Sequence, residues 1–255
     1  MGEPSYLDRL FGLSGRVALV TGGSSGIGRS IALALAGAGA HTIIAARTES
    51  AIAETVAKIE AGGGSAAGIR ADLATREGAH ALADAADEID ILVNSAGINL
   101  RPPMAELGDE VWDATMAVNL EAPFVLGQRL LPGMAARGYG RVIHLSSQQA
   151  HRPFANSGAY GVSKAAIEGL ARVQAEAWSS QGVTVNVLIP GFVPTPLNRR
   201  LSSDPAAVAA LAARTVVGRN GEPDDFAGAA VLLASPAGAY ITGQSIAVDG
   251  GFSVH

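Results

Sequence analysis

Short apolar runs alternate with stretches of helical spacing along almost the whole chain. Val17–Val20 is apolar throughout, and Ile31, Leu33 and Leu35 follow it at helical intervals after a glycine-rich turn. His41–Ala46 is a second run, and Glu49–Ala61 returns to helical spacing, with Glu54 and Lys58 at i and i+4. A third strand is predicted near Ala66–Arg70, a helix over Thr75–Glu88, and a fourth strand in IDILVNSAG. Asp109–Leu130 is helical in pattern, GRVIHLSS is a fifth strand, and Ser157–Ser180 is a long helix. VTVNVLIPG and QSIAVDGG make the sixth and seventh strands. Runs without polar alternation suit strands covered on both faces. Strands separated by single helices imply right-handed βαβ units and a parallel sheet.

In such sheets ligands sit beyond the carboxyl ends of the strands. The turns after Val20, Ala46, Arg70, Val93, Leu145 and Leu188 therefore meet at one edge. The first of them is RVALVTGGSSGIG, Arg16 to Gly28. Its glycines allow backbone to approach a ligand closely, and the helix that follows offers unpaired N–H groups and partial positive charge, which suits phosphate. Between the sixth and seventh strands, residues 192–215 look like an inserted flap, with a helix start at Asp204-Pro205.

Composition narrows the classes. A net charge of −5 without a run of Lys and Arg argues against nucleic acid. The absence of cysteine removes disulfides and thiol chemistry and fits a cytoplasmic setting, and the five histidines are not paired as metal ligands. No apolar run is long enough to span a bilayer, and the opening segment, with Glu3 and Asp8, is unlike a secretory signal. The expectation is one domain over 1–255, a small-molecule partner, and no metal.

Ser147, Tyr160 and Lys164 carry the sharpest chemical signal. Tyr160 and Lys164 lie at i and i+4, so they share a helix face, and Ser147 ends a strand at the ligand edge. A phenol titrates near pH ~10 and needs help to exchange protons at neutral pH, which a neighbouring ammonium can supply.

Together these motifs resemble the short-chain dehydrogenase/reductase family, from about Gly15 to Phe252: TGGSSGIG at Thr21–Gly28, Asp72, NSAG at Asn94–Gly97, Asn119 in VNL, Ser147, YGVSK at Tyr160–Lys164, and Pro190–Gly191. The resemblance implies a single-domain, Rossmann-type, doubly wound parallel seven-stranded sheet with helices on both faces. It implies hydride transfer between a nicotinamide and a secondary alcohol or ketone. By the same likeness Tyr160 is the general acid/base, Ser147 holds the substrate oxygen, Lys164 binds the ribose and lowers the phenol pKa, and Asn119 places a relay water. Gly22, Ser24, Ser25, Gly26, Ile27 and Gly28 would cradle the cofactor. Arg47, Asp72, Leu73, Asn94, Ala96, Gly97, Pro190, Gly191, Val193 and Thr195 would complete its site with Tyr160 and Lys164. Family members often form homotetramers through elements matched here by Asp109–Leu130, Ser157–Ser180 and Ser245–Val254.

Two positions depart from the family pattern: Ser95 replaces a usual asparagine, and Ala150 a frequent glycine. At the end of the second strand, Ala46 stands where NAD users commonly carry an acid, and Arg47 can pair with a 2′-phosphate. NADP(H) is the expected cofactor and NAD(H) the alternative. Arg101, Arg152 and Arg199–Arg200 are candidates to attract an anionic substrate, with Gln148 and Gln149 lining the pocket and His151 facing solvent. GINLRPPMAEL also resembles sugar-acid and polyol dehydrogenases of the gluconate 5-dehydrogenase kind. Two alternatives stand beside this reading: a 3-oxoacyl-thioester reductase, and a non-catalytic nucleotide-binding sensor or scaffold.

Overall fold

The computed structural model describes residues 4–86 and 88–254, so Glu3 and Asp87 fall outside it. Seven parallel strands form one sheet in the order β3-β2-β1-β4-β5-β6-β7. They are β1 (Val17–Thr21), β2 (His41–Ala46), β3 (Ser65–Arg70), β4 (Ile91–Asn94), β5 (Gly140–Leu145), β6 (Val183–Pro190) and β7 (Ser245–Val248). The helices are α1 (Tyr6–Phe11), α2 (Gly26–Gly37), α3 (Glu49–Ala61), α4 (Arg76–Ala85), α5 (Asp109–Met116), α6 (Ala122–Ala136), α7 (Gly158–Trp178), α8 (Arg199–Ser202), α9 (Pro205–Ala213) and α10 (Ala227–Ala234).

Strand pleating sends neighbouring side chains to opposite faces, and each face has its own core. Leu19, Val142 and Val185 pack with Leu82 of α4, Leu126 of α6 and Ala171 of α7. Ala18, Val20, Ile143 and Leu188 pack with Ile31 of α2, Ile52 of α3 and Leu233 of α10. Both faces are covered, which is why β4, β5 and β6 are buried from end to end. Each such Leu or Ile contributes about 1.5–3 kcal/mol relative to exposure. The strand order reverses between β2 and β4 on either side of β1, which opens a crevice at the carboxyl edge.

The predicted helix over Asp109–Leu130 is interrupted. A five-residue turn of wider pitch, Ala117–Glu121, separates α5 from α6, and the Ala122 N–H reaches the Ala117 carbonyl. Pro123 explains it, since it has no N–H to give the Asn119 carbonyl four residues earlier. The helix predicted from Thr75 to Glu88 ends at Ala85, and Glu88 has a positive φ of 46°. The helix predicted over Ser157–Ser180 begins after Ser157, whose hydroxyl bonds the Phe154 N–H and Gln149 Oε1. The helix start at Asp204 is as expected: its carboxylate accepts from the Ala206 and Ala207 N–H groups.

Candidate active site

A cavity of about 490 Å³ lies along the carboxyl edge. Its floor is the turn after β1, where the fold needs glycine twice over. Gly22 has φ +68°, and a Cβ there would sit 2.8 Å from the Ala96 backbone nitrogen. A Cβ on Gly28 would sit 2.5 Å from the Gly22 carbonyl oxygen, so the first turn of α2 packs directly against the loop. Ser25 precedes α2 in extended conformation without a side-chain cap, and the first turn carries no acid. The unpaired N–H groups and positive end of α2 thus face the cavity beside Ser25, Gly26 and Ile27. Arg47 lines the same cavity from the end of β2. The nearest acid in sequence, Glu49, is directed to Arg70 at 3.9 Å.

At the other end of the cavity, β5 delivers Ser147 and α7 delivers Tyr160 and Lys164. Ser147 Oγ accepts from the Gln149 N–H at 3.2 Å, which fixes its direction. Burial pushes the Tyr160 phenol up from its ordinary value, while the nearby Ser147 hydroxyl and the Arg101 charge act in the opposite sense. Lys164 Nζ donates to the Leu145 carbonyl at 2.7 Å and lies 5.7 Å from the Tyr160 ring centroid. Burial lowers its pKa to about 8.

Arg101 enters from the loop after β4. Its Nη2 donates to Asn156 Oδ1 at 2.7 Å and its Nε to the Asn156 carbonyl at 3.3 Å. Burial and the charge of Arg200 both lower its pKa, so two guanidiniums share one environment. A second cavity of about 600 Å³ continues beyond it, with Arg101, Arg200 and Arg214 on its walls. Asp204 also lines it, and one of its carboxylate oxygens is committed to capping α9. Asn99 Nδ2 donates to Asn198 Oδ1 at 3.1 Å and ties the post-β4 loop to the flap.

Residues 22–253 match the family model described as enoyl-(acyl carrier protein) reductase. The chain is 39% identical over 247 residues to a 2-dehydro-3-deoxy-D-gluconate 5-dehydrogenase of Pseudoalteromonas atlantica, covering 95% of this chain and 97% of that one. The chain belongs to the short-chain dehydrogenase/reductase family. It is also 40% identical to the rhamnolipids biosynthesis 3-oxoacyl-[acyl-carrier-protein] reductase of Pseudomonas aeruginosa, covering 95% and 98%. A gluconate 5-dehydrogenase from Burkholderia cenocepacia, solved with NADP and tartrate, superposes with a TM-score of 0.92 at 36% identity, covering 98% of this chain and all (100%) of that one.

As a short-chain dehydrogenase/reductase the chain is an oxidoreductase acting on CH–OH groups. Its cavity gathers Gly22, Ser25, Gly26, Ile27, Gly28, Arg47, Ala96, Gly97, Ser147, Tyr160, Lys164, Pro190, Gly191, Val193 and Thr195, with Arg101 and Gln149. Eight expected residues do not line it: Arg200 lines the second cavity, Arg199 lines neither, and six more lie elsewhere. Leu73 is in the core, and Asp72 Oδ1 accepts from the Ala74 N–H at 3.1 Å. The Ser24 carbonyl accepts from Arg29. Asn94 is buried, with Nδ2 3.2 Å from His144 Nδ1. Asn119 holds the loop after β4 against α7: Oδ1 accepts from the Ile98 N–H at 2.9 Å, and Nδ2 donates to Ile98 O and Ser163 Oγ, both at 3.0 Å. Arg152 is exposed, on the outer side of the turn that follows Ser147.

The Lys164 ammonium is bonded to the Leu145 carbonyl, and Arg101 is a second cation whose charge acts to lower the Tyr160 pKa. Sequence reasoning also missed Glu168. It is buried and bonded to Ser146 and to His151, which the sequence places in solvent. A glutamate at i+8 from Tyr160 was its only signal in the chain.

Proposed function

We propose that the enzyme transfers hydride between NADP(H) and a secondary alcohol or its ketone, on a substrate of the sugar-acid or polyol class. The observation that carries this reading is that Ser147, Tyr160 and Lys164 line one end of a cavity whose other end is an acid-free helix start beside Arg47. The residues fit a dinucleotide phosphate: a Cβ at Gly22 would close the cradle against Ala96, and the α2 N–H groups face an anion. The nicotinamide supplies or accepts the hydride when bound. In the reducing direction Ser147 Oγ donates a hydrogen bond to the carbonyl oxygen and Tyr160 gives that oxygen its proton. In the oxidising direction the Tyr160 phenolate takes the proton of the alcohol. Lys164, anchored on Leu145 and one turn from Tyr160 in the same cavity lining, would hold a ribose hydroxyl of the cofactor.

Arg47 would pair with the 2′-phosphate of NADP(H) through charge-assisted bonds, which contribute about 1.5–3 kcal/mol. Arg47→Ala is therefore expected to reduce the NADPH over NADH ratio of kcat/KM by about 10- to 100-fold. An unchanged ratio, or a wild type that prefers NADH, removes this role. The wall of Arg101 and Arg200 is the support for an acidic substrate. In a panel of sugar acids, polyols and 3-oxoacyl thioesters followed at the NADPH absorbance band, sugar acids should be turned over best. Arg101→Ala should raise their KM by roughly 10-fold or more and leave neutral polyols within about twofold, whereas Arg152→Ala should change neither. Uniform KM values across the panel would defeat the anionic-substrate reading.

The second cavity favours one alternative, a 3-oxoacyl-thioester reductase, because it gives a longer acyl or carrier group somewhere to lie. The same panel separates the two. The proposal also includes one catalytic unit over 1–255, flapped by residues 192–215, in a cytoplasmic homotetramer. Support for assembly comes from exposed Trp112, Phe124, Val162 and Val173 on α5, α6 and α7 and from Tyr240 and Val254 flanking β7. A monomer by light scattering would remove it.

A further inference from the structure

Two consecutive residues at the end of β5, Leu145 and Ser146, are fastened to one face of α7, and Ser147 follows them into the cavity that Tyr160 also lines. The Leu145 carbonyl accepts from Lys164 Nζ at 2.7 Å. Ser146 Oγ shares its hydrogen between the Lys164 carbonyl at 2.9 Å and Glu168 Oε1 at 2.7 Å. Tyr160, Lys164 and Glu168 are spaced i, i+4 and i+8, so this face of α7 carries the acid/base, the ammonium and a carboxylate in line.

The carboxylate is 3% exposed, a position a lone charge would not occupy without partners. It has three. Besides Ser146, Oε2 lies 2.9 Å from His151 Nε2 and accepts from Ser245 Oγ at 3.2 Å. Oε1 is 3.1 Å from the same imidazole nitrogen. Ser146 precedes Ser147, and His151 ends the short turn Gln148–Ala150 that follows it. One carboxylate therefore holds both ends of the segment that carries Ser147, and through Ser245 it ties that segment to β7.

We infer that Glu168 is a positioning residue for the proposed reaction: it fixes the Ser147 hydroxyl where it meets both Tyr160 and the substrate oxygen. The inference rests on the acid/base reading of Ser147 and Tyr160. Such groups must be held within a fraction of an ångström, and a misplacement of ~1 Å costs about 100-fold in rate. Ser147 has a short side chain, and the bond that directs it comes from the Gln149 N–H within the same turn, so the hydroxyl goes where the turn goes. The Glu168 carboxylate anchors that turn.

The test uses the full chain with NADPH and the best substrate of the panel, together with hydrogen exchange of the amides of residues 147–152. Glu168→Leu should lower kcat by roughly 10- to 100-fold and leave the KM for NADPH within about twofold. Glu168→Gln keeps a carbonyl oxygen for Ser146 and an amide for the imidazole, and should recover to within about fivefold of wild type. His151→Ala removes the exposed partner and should lower kcat by about 3- to 10-fold. Exchange in residues 147–152 should accelerate in Glu168→Leu and His151→Ala but not elsewhere in the sheet. Unchanged exchange in this segment overturns the inference whatever the kinetics. If Glu168→Leu does not fold, the test falls on His151→Ala and Ser245→Ala, and wild-type kcat in both overturns it. Accelerated exchange with a fully active Tyr160→Phe variant would instead condemn the acid/base reading and leave the clamp standing.

Discussion

Tyr160→Phe is expected to lower kcat by about 1,000-fold while leaving the Kd for NADPH within a few fold, since a positioned general acid is worth about 10²–10⁴ in rate. The substitution removes one hydroxyl from a buried ring, a cost of only about 1 kcal/mol in stability. Turnover and cofactor binding should therefore separate. A sensor or scaffold would keep its function in this variant, and retained turnover would end the assignment of Tyr160. The pH dependence has a definite sign. Burial raises the phenol pKa, so the free enzyme holds Tyr160 protonated at neutral pH, the form that reduces a ketone. Reduction should fall as pH rises through the phenol range, and alcohol oxidation should rise, because it needs the phenolate. Arg101, whose charge opposes the upward shift, should move that transition to higher pH when replaced by alanine.

Gly22→Ala should weaken NADPH binding by at least about 10-fold and lower the melting temperature by several degrees. Two costs combine. The residue has φ +68°, which strains an alanine by about 1–2 kcal/mol. The new methyl would lie 2.8 Å from Ala96 N and 2.9 Å from Ala96 Cα, backbone atoms that cannot rotate aside, and such overpacking costs about 1–3 kcal/mol. Against a total stability of about 5–15 kcal/mol the protein still folds, but with the loop after β4 displaced from the cradle. Gly63→Ala is the matched control. Its φ is +79° with no atom within 4 Å of the added Cβ, so it should show the strain without loss of cofactor. Equal cofactor affinity in the two variants would mean that close approach at Gly22 is not what shapes the cradle.

Much of the fold was legible because its signals are local. β2 and α3 fall where the apolar runs and glycines put them, and the remaining strands differ by one to a few residues at their ends. The helix α10 was not legible, since AGAAVLLA is small and apolar on every side and shows no polar face, although only Ala230, Leu233 and Ala234 are buried against the sheet. The break between α5 and α6 was visible only as Pro123, and a proline near a helix start is ordinarily harmless. It matters here because the wide turn that precedes it carries Asn119.

By itself the sequence determined the alternation of strands and helices, the glycine turn, and the shared face of Tyr160 and Lys164, all of which follow from spacing along one chain. Tertiary structure decided which charges meet. Arg101, in the loop after β4, is brought to Tyr160 on α7, and Arg152 is exposed and does not line the cavity although it is only five residues from Ser147. Glu168 gathers Ser146 and His151 from the connection between β5 and α7 and Ser245 from β7. Electrostatic and hydrogen-bonded partners are chosen by distance in space and by exclusion of water, and neither is a function of separation along the chain.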